Sequence, residues 1–233
     1  MIFVYLLYLT AVSLAYENIV SECKLRDSEI FCKDIKNISS VLDILVDGDT
    51  TITKLTLDNC QDFDHRYKDP RFSALYSLEA LKFIRCQKGT KLLASFEDSH
   101  RLRSLTIRKS FLEKFVLQCE TKNILENLDL SENMIEKIMV QDSECESVHI
   151  RRLNLSKNNF RKFNLKDLKK LPNLEVLVLS HNEKLSELVP TSSAFPRLET
   201  LDLSHNPSLK TLCAPIFWSF PNLSWFVKIW FCC

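Results

Sequence analysis

Apolar and polar residues alternate in a short segment near the middle of the chain, residues 125–138, which reads LENLDLSENMIEKI. Leu128 and Leu130 are each flanked by polar residues, so a strand at this place buries one face and exposes the other. Asn133 follows where the chain has to turn, and its amide can bond backbone groups that would otherwise be buried without a partner. The segment therefore predicts a short strand followed by a tight inward turn.

The same pattern recurs along most of the chain. Its first apolar position is occupied by Ile52, Leu78, Leu102, Leu125, Ile150, Leu174, Leu198 and Leu223. Successive positions are 26, 24, 23, 25, 24, 24 and 25 residues apart, within the roughly 20–29 residues of repeats that join a strand to a return segment. The turn position holds Asn133, Asn158, Asn182 and Asn206 in the later repeats, and Cys60, Cys86 and Ser110 in the earlier ones. Repeats of this length stack so that each unit covers the apolar face of its neighbour.

The repeat predicts an α/β solenoid. We expect a right-handed horseshoe whose concave side is a parallel sheet of about eight short strands, and whose convex side consists of irregular turns and short helical pieces. Residues 164–171 are the best helical candidate, because Leu165, Leu168 and Leu171 recur at a spacing of three. The repeats occupy residues 52–224, and residues 16–51 form an N-terminal cap region.

The first residues have the character of a secretory signal peptide. Residues 2–14 are apolar apart from Thr10, Ser13 and the tyrosines, although no positive charge precedes the apolar run. Ser13 and Ala15 are small residues where a signal peptidase needs them, so residues 1–15 are predicted to be removed after Ala15. The alternative is a short membrane anchor, but the stretch is shorter than the roughly 20 residues that a span requires. We expect a secreted, extracellular chain with no membrane span.

The chain contains nine cysteines, which can form disulfides in the oxidising extracellular environment. Because their number is odd, at least one is not paired with another cysteine of the chain. Cys23 and Cys32 lie directly before the first repeat, where a disulfide-closed hairpin could cover the open end of the apolar core. Two unrelated cysteines are the alternative. Cys119 and Cys145 are 26 residues apart, about one repeat, and a disulfide between neighbouring coils is left open for them.

Cys60 and Cys86 occupy the inward turn position of adjacent repeats. Cysteine packs well in that place as a small apolar group, so both are expected to be buried, unreactive thiols. The sequence contains no CxxC motif and no Cys/His cluster with zinc spacing. No metal site is predicted.

The last nine residues, 225–233, read WFVKIWFCC and form an atypical apolar tail. After Leu223 the repeat places Phe226 and then Lys228 at the two inward positions, which leaves the register doubtful. An exposed apolar end of a solenoid favours association, so we expect that the tail pairs with something or that the chain is truncated. Cys232 or Cys233 could supply an intermolecular disulfide there.

The signal peptide, the Cys23/Cys32 hairpin and the repeats of about 24 residues resemble extracellular leucine-rich repeat proteins. Such proteins include Toll-like receptor ectodomains, adhesion and axon-guidance proteins, and soluble immune recognition factors. The resemblance covers residues 17–224 and implies a concave sheet that commonly binds proteins and less often lipids or glycans. The shared residues are the buried ones, so no ligand-binding residue is carried over from the family.

The residues of the concave face follow from the alternation within each strand. The predicted middle column is Thr56, Lys82, Thr106, Asp129, Asn154, Val178 and Asp202; the column after it holds Asp58, Ile84, Arg108, Ser131, Ser156, Ser180 and Ser204. Two places are candidate ligand-binding sites because strands in such a sheet lie only about 4.8 Å apart. Lys82, Ile84, Thr106 and Arg108 form a basic patch with one apolar member, and Val176 and Val178 form an exposed apolar pair. The alternative is an ordinary solvated strand face, where Val is favoured by β propensity.

Three Asn-Xaa-Ser motifs, at Asn37, Asn154 and Asn222, are candidate N-glycosylation sites. A glycan on Asn154 would obstruct flat docking over the central repeats, although the repeat consensus itself also generates this motif. His181 and His205 share one position of adjacent repeats. Two histidines without a supporting carboxylate make a poor metal site.

Composition and charge exclude several classes of function. With 31 basic and 30 acidic residues the net charge is +1, which gives no reason to expect nucleic acid as a partner. Neither of the two glycines lies in a phosphate-binding motif, and no residues have catalytic spacing. We expect no enzyme and no cofactor.

The sequence therefore predicts non-enzymatic binding of a protein ligand or co-receptor, in immune recognition or in cell-surface signalling and adhesion. The alternative is a structural or matrix-associated protein that self-assembles as a homo- or heterodimer through its C-terminal end.

Overall fold

The computed structural model describes residues 22–47, 51–61, 74–86, 91–94, 101–117, 124–140, 148–192, 195–210, 212 and 214–227. The elements of these segments, in chain order, are β1 (Cys23–Arg26), β2 (Glu29–Lys33), α1 (Ile38–Asp47), β3 (Lys54–Asp58), β4 (Ala80–Ile84), β5 (Lys91–Ala94), β6 (Ser104–Arg108), β7 (Lys114–Leu117), β8 (Asn127–Asp129), β9 (Lys137–Val140), β10 (Arg152–Asn154), β11 (Lys162–Asn164), the 3₁₀ helix η1 (Leu165–Leu168), β12 (Val176–Val178), β13 (Glu187–Val189), β14 (Thr200–Asp202), the 3₁₀ helix η2 (Ala214–Ser219) and β15 (Trp225–Val227). Residues 1–15, Cys119 and Cys145 lie outside the described residues.

One sheet of ten strands runs through the described repeats in the order β1-β2-β3-β4-β6-β8-β10-β12-β14-β15. Strands β2 to β15 are parallel, and β1 pairs antiparallel with β2. Eight of these strands begin the eight repeats, so the predicted solenoid with its parallel sheet is confirmed. The N-terminal hairpin adds two further strands to it. The register continues to the last strand, where Phe226 pairs with Leu201.

The return segments contain more strand than the sequence predicts. Strands β5, β7 and β9 form a second parallel sheet, and β11 and β13 form a third. In β7 the three residues 115–117 are all buried, so the segment lacks the alternation that marked the inner strands, and its strand character was missed. The helical prediction was better: η1 lies inside residues 164–171, and Asn164 Oδ1 caps it by accepting a hydrogen bond from the Lys166 backbone N–H.

The core follows the repeat pattern. The first apolar position of seven repeats is at most 2% exposed: Ile52, Leu78, Leu102, Leu125, Ile150, Leu174 and Leu198. The inward pair of the same seven repeats is equally buried, as Leu128 and Leu130 illustrate in β8 and the turn after it. A continuous apolar column thus runs the length of the array, and each repeat is stabilised by its two neighbours.

Asparagines at the turn position form a ladder between repeats. Asn158 Nδ2 donates to the carbonyls of Leu155 in its own repeat and Leu130 in the preceding one, each at 3.0 Å. Its Oδ1 accepts the Ile135 backbone N–H at 3.0 Å. The buried amide therefore satisfies three backbone groups that have no water to bond.

A second column consists of residues with left-handed backbone geometry. The seven residues that directly follow the column running from Asp58 to Ser204 have φ between 53° and 58°: Asn59, Arg85, Lys109, Glu132, Lys157, His181 and His205. This conformation directs the backbone N–H of the first six at a carbonyl of the next repeat; that of Lys157 donates to the Ser180 carbonyl at 2.9 Å. With only two glycines in the chain, charged and polar residues occupy a geometry that glycine adopts most easily.

Two disulfides lie in the first part of the described chain. Cys23 is bonded to Cys32 across the N-terminal hairpin. Cys60 is bonded to Cys86 with their Cα atoms 4.3 Å apart, so the expectation of two buried free thiols was wrong. Their burial was predicted correctly, since both are 0% exposed. The same inward position in two adjacent coils brings their side chains within bonding distance.

Candidate binding surface on the concave face

The predicted basic patch is assembled by strand register. Lys82 of β4 lies opposite Thr106 of β6, and Ile84 lies opposite Arg108. Lys82 is exposed, while the other three residues are half-buried. The four residues thus share one surface, as the alternation in the sequence predicted, but they do not contribute equally to its charge.

The charge of Arg108 is neutralised by an ion pair within the molecule. Its guanidinium donates a hydrogen bond to the Glu132 carboxylate, which also lies 3.6 Å from Lys109 Nζ and 4.0 Å from Lys157 Nζ. Burial raises the pKa of Glu132, but the hydrogen bond and charge of Arg108, with the two lysines, outweigh it and hold the pKa below its ordinary value. Arg108 is therefore part of an intramolecular charge cluster.

A second ion pair neutralises the surface beside Ile84. Asp58 is 6% exposed, and its carboxylate accepts a hydrogen bond from Arg85 at 2.5 Å. Asp58 is opposite Ile84 in the sheet. Lys82 has no ion-pair partner among the described residues and is the one unpaired cation of the predicted patch.

The N-terminal hairpin extends the concave face beyond the predicted patch. Lys24 pairs with Phe31 in the hairpin, and Phe31 lies opposite Thr56, which lies opposite Lys82. These four residues continue the middle column, and Phe31 is 41% exposed. The sequence EIFCK does not reveal this extension, because Ile30, Phe31 and Cys32 are three consecutive apolar residues, and only the structure shows that Phe31 is the exposed one.

A groove of about 310 Å³ lies across these first strands, which we call the N-terminal groove. Its lining residues are Lys24, Arg26, Glu29, Ile30, Phe31, Lys54, Leu55, Thr56, Ala80 and Lys82. The groove thus joins Lys82 of the predicted patch to the aromatic ring and cations of the hairpin. Its volume is at the lower end of the roughly 300–1,000 Å³ of ligand pockets.

The single carboxylate of the N-terminal groove is paired with one of its cations. Lys54 Nζ donates a hydrogen bond to Glu29 in the neighbouring strand. This hydrogen bond, together with the negative charge of Glu29, raises the pKa of Lys54. The remaining cations, Lys24, Arg26 and Lys82, are exposed and form no ion pair with any other described residue.

The later repeats use their concave polar residues to end the strands. Asp129, Asn154 and Asp202 each accept, through Oδ1, the backbone N–H two residues further on, at 2.9 to 3.0 Å. The strand stops there. Ser131 and Ser180 are buried, at 2% and 6% exposure, so the predicted exposed column does not continue through them. The N-terminal strands lack this bond and are two residues longer.

Val176 and Val178 do lie on the concave face, but they are half-buried instead of exposed. Val176 lies between Arg152 and Thr200, and Val178 lies between Asn154 and Asp202. Polar side chains on both neighbouring strands therefore cover much of each valine. This pair makes a weaker contact surface than the sequence suggested.

The three glycosylation motifs occupy different environments. Asn37 is exposed, and its Oδ1 accepts the Ser40 backbone N–H at 3.3 Å at the start of α1. Asn222 is exposed and donates to the Pro196 carbonyl at 2.7 Å. Asn154 is half-buried in the middle column of the concave face. Glycosylation of all three remains a prediction.

The two histidines of the left-handed column stack on one another. The rings of His181 and His205 have centroids 4.2 Å apart and an interplanar angle of 8°. Across the described segments, no group of three or more His, Cys, Asp or Glu residues is arranged to hold a metal ion. The pair acts as a ring contact between adjacent repeats.

The parallel inner strands, the buried leucines and the asparagine ladder define a solenoid of leucine-rich repeats. The family model for leucine-rich repeats (two copies) matches residues 172–217. The crystal structure of the LRIM1 leucine-rich repeat domain superposes with a TM-score of 0.56 at 19% identity, over 85% of this chain and 66% of that one. No curated protein matches the chain in sequence. At this identity the likeness concerns the fold, and the chain spans 66% of the length of that domain.

In the segments that the structure describes, no helix has the length and apolar character that crossing a membrane requires.

Proposed function

We propose that this chain is a secreted, extracellular recognition protein that binds another protein non-enzymatically through its concave face. The partner is a ligand or co-receptor in immune recognition or in cell-surface signalling and adhesion. The observation that carries the proposal is the concave surface itself, where exposed Phe31 lies in the same column as Lys82, a cation with no ion pair among the described residues. Aromatic residues beside charged groups are common centres of protein interfaces.

The extracellular location is supported by the cysteines. Cys23–Cys32 and Cys60–Cys86 are both disulfides, and disulfides persist in oxidising compartments outside the cytosol. We propose that residues 1–15 direct the chain there and are removed after Ala15.

Site-directed photocross-linking tests which face is used. A photoreactive side chain replaces Thr56, Thr106 or Arg152 on the concave face, and the protein is exposed to extracellular fluid from its source. Matched controls carry the same group at the exposed convex positions Lys114 and Lys137. We expect one polypeptide of defined mass to be cross-linked from concave positions and not from convex ones. Equal cross-linking from both faces, or none from the concave positions, contradicts the proposal.

The C-terminal end supports a second candidate function, self-assembly. Trp225 in the last described strand is 64% exposed, and Trp218 in η2 is 82% exposed. Large exposed aromatic residues beside a strand edge favour association. Analytical sedimentation of the purified chain tests this candidate. A dimer that Trp225→Ser converts to a monomer supports self-assembly, whereas a monomeric wild-type protein contradicts it.

A further inference from the structure

The concave face is electrostatically divided, although the whole chain is almost neutral. The N-terminal groove holds four cations, Lys24, Arg26, Lys54 and Lys82, and one carboxylate, Glu29, for a formal charge of +3. A further column lies two residues before the middle one and runs through Asn127, Arg152, Val176 and Thr200 in the later repeats. Together these two columns hold one cation, Arg152, and two carboxylates, Asp129 and Asp202, for a formal charge of −1. The net charge of +1 for the chain hides this difference.

Two arginines at the strand starts are paired with glutamates, whereas Glu79 and Glu199 at the same position have no ion pair among the described residues. Arg103 donates to Glu126, and Arg151 Nη1 lies 2.7 Å from Glu175. The Glu132 carboxylate neutralises Arg108, the one cation of the later strand columns beside Arg152, while Lys109 and Lys157 follow the strands and lie outside those columns. The positive potential of the concave side is therefore concentrated at its N-terminal end.

We propose that the N-terminal groove binds an acidic, extended segment of the partner protein, with one apolar side chain of that segment packed on Phe31. This inference rests on the proposed function and names the chemistry of its ligand. Carboxylates of the segment pair with Lys24, Arg26 and Lys82, while the exposed Phe31 ring provides the apolar anchor.

The dimensions of the N-terminal groove fit a short peptide. It spans four neighbouring strands, from β1 to β4, which corresponds to about 14 Å at the usual strand spacing. About four extended residues cover that distance.

The groove chemistry favours a polypeptide over a sulfated glycan. Three of its four cations are lysines, and an exposed aromatic residue lies among them. Sites for sulfate or phosphate rely more on the forked guanidinium of arginine, and a fully hydrophilic glycan leaves Phe31 without an apolar partner. The acidic residues Asp129 and Asp202 repel the same ligand from the later repeats, so binding is confined to the N-terminal end.

Peptide binding to the full chain is the test. The probe is a fluorescent peptide of six residues that carries four Asp or Glu residues and a central Phe, and the control probe replaces each carboxylate by its amide. We expect saturable binding of the acidic probe, a Kd for the amide probe at least about tenfold higher, and weaker binding as salt screens the charges.

Two variants and a matched control locate the site. Lys82→Glu and Phe31→Ser are each expected to raise the Kd by about tenfold, while Lys114→Glu, the same charge change on the convex side, leaves it unchanged. A Kd that responds equally to Lys82→Glu and Lys114→Glu overturns the assignment. So does tighter, Lys82-dependent binding of a heparin oligosaccharide, which would make the groove a glycan site.

The outcomes separate this inference from the proposed function. Partner cross-links confined to the later repeats, with no peptide binding, defeat the inference and leave concave-face recognition intact. Peptide binding at the groove without any concave cross-link to a protein partner defeats the proposed function alone.

Discussion

At the scale of single residues, the asparagine amide is the group that couples neighbouring coils. Each of Asn158, Asn182 and Asn206 donates to carbonyls of its own repeat and of the preceding one. Water does not reach these backbone groups in the core, so the turn position needs a side chain that both donates and accepts hydrogen bonds. Asparagine could therefore be predicted there from its position alone. The chemistry of the earlier turns was not predictable in this way, because cysteine fits the same position as a thiol or as a disulfide.

Replacing Asn158 by Ala is expected to lower the free energy of unfolding by about 2–4 kcal/mol, because buried carbonyls of Leu130 and Leu155 lose their donor. Urea denaturation followed by circular dichroism measures the change. Asn159→Ala, at the neighbouring half-buried position, controls for removal of an amide and should cost less than about 1 kcal/mol. Equal effects of the two substitutions would contradict the ladder's role.

For a residue of the left-handed column, we expect a substitution that does not lower the stability. Lys157 has φ 54°, which costs a side-chain-bearing residue about 1–2 kcal/mol relative to glycine. Lys157→Gly is therefore expected to leave the stability unchanged or to raise it by up to about 1 kcal/mol. The same substitution at Lys137, in convex strand β9, should lower stability by about 0.5–1 kcal/mol. Matching losses at both positions in thermal melts would refute this account.

At the scale of elements, the sequence predicted the inner strands better than the return segments. A strand with one buried and one solvated face alternates leucine with polar residues in its sequence. Both β8 and β10 show this alternation at every position. The outer strand β7 is buried at consecutive positions, which gives no period to read. The hairpin was recognised from its cysteines, but the contribution of Phe31 to the binding surface depends on its register with β3, which the sequence alone did not provide.

The Cys60–Cys86 disulfide joins the first two repeats and closes 26 residues of sequence. Replacing both cysteines by Ala is expected to lower the free energy of unfolding by about 2–4 kcal/mol, because the unfolded chain regains conformational freedom. Alkylation followed by peptide mass analysis checks the bond itself: Cys23, Cys32, Cys60 and Cys86 should be labelled only after reduction. Labelling of Cys60 in the folded, unreduced protein would show that the bond is absent.

The charge cluster around Glu132 gives the stability a pH dependence. Because the folded-state pKa of Glu132 is lowered, its contribution is present above the unfolded pKa of about 4.3 and is lost as the pH falls through the folded value. Glu132→Gln should therefore be less stable than the wild type at pH 7, and the gap should close on acidification. Glu136→Gln, an exposed position, controls for net charge. A gap for Glu132→Gln that is independent of pH would contradict the assignment.

At the scale of the whole molecule, the fold was predictable and the binding surface only in part. The spacing of leucines specified the solenoid because a repeat is a property of the sequence itself. Lys82 was identified from its column, but Arg108 was assigned to a basic patch that its ion pair with Glu132 neutralises. Such pairing depends on side chains from neighbouring repeats, and the alternation within one strand does not report it.

The position of the two disulfides also sets a direction for unfolding. Both join residues in the first 86 of the chain, and a stacked array loses structure most easily from the end that is least restrained. The coils that the two disulfides join should therefore open later than the described repeats from β8 to β15. Amide hydrogens of Leu201 and Phe226 should then exchange with solvent faster than those of Leu55 and Leu81. A protease acting during such opening would cut within the later repeats and leave the N-terminal groove in place.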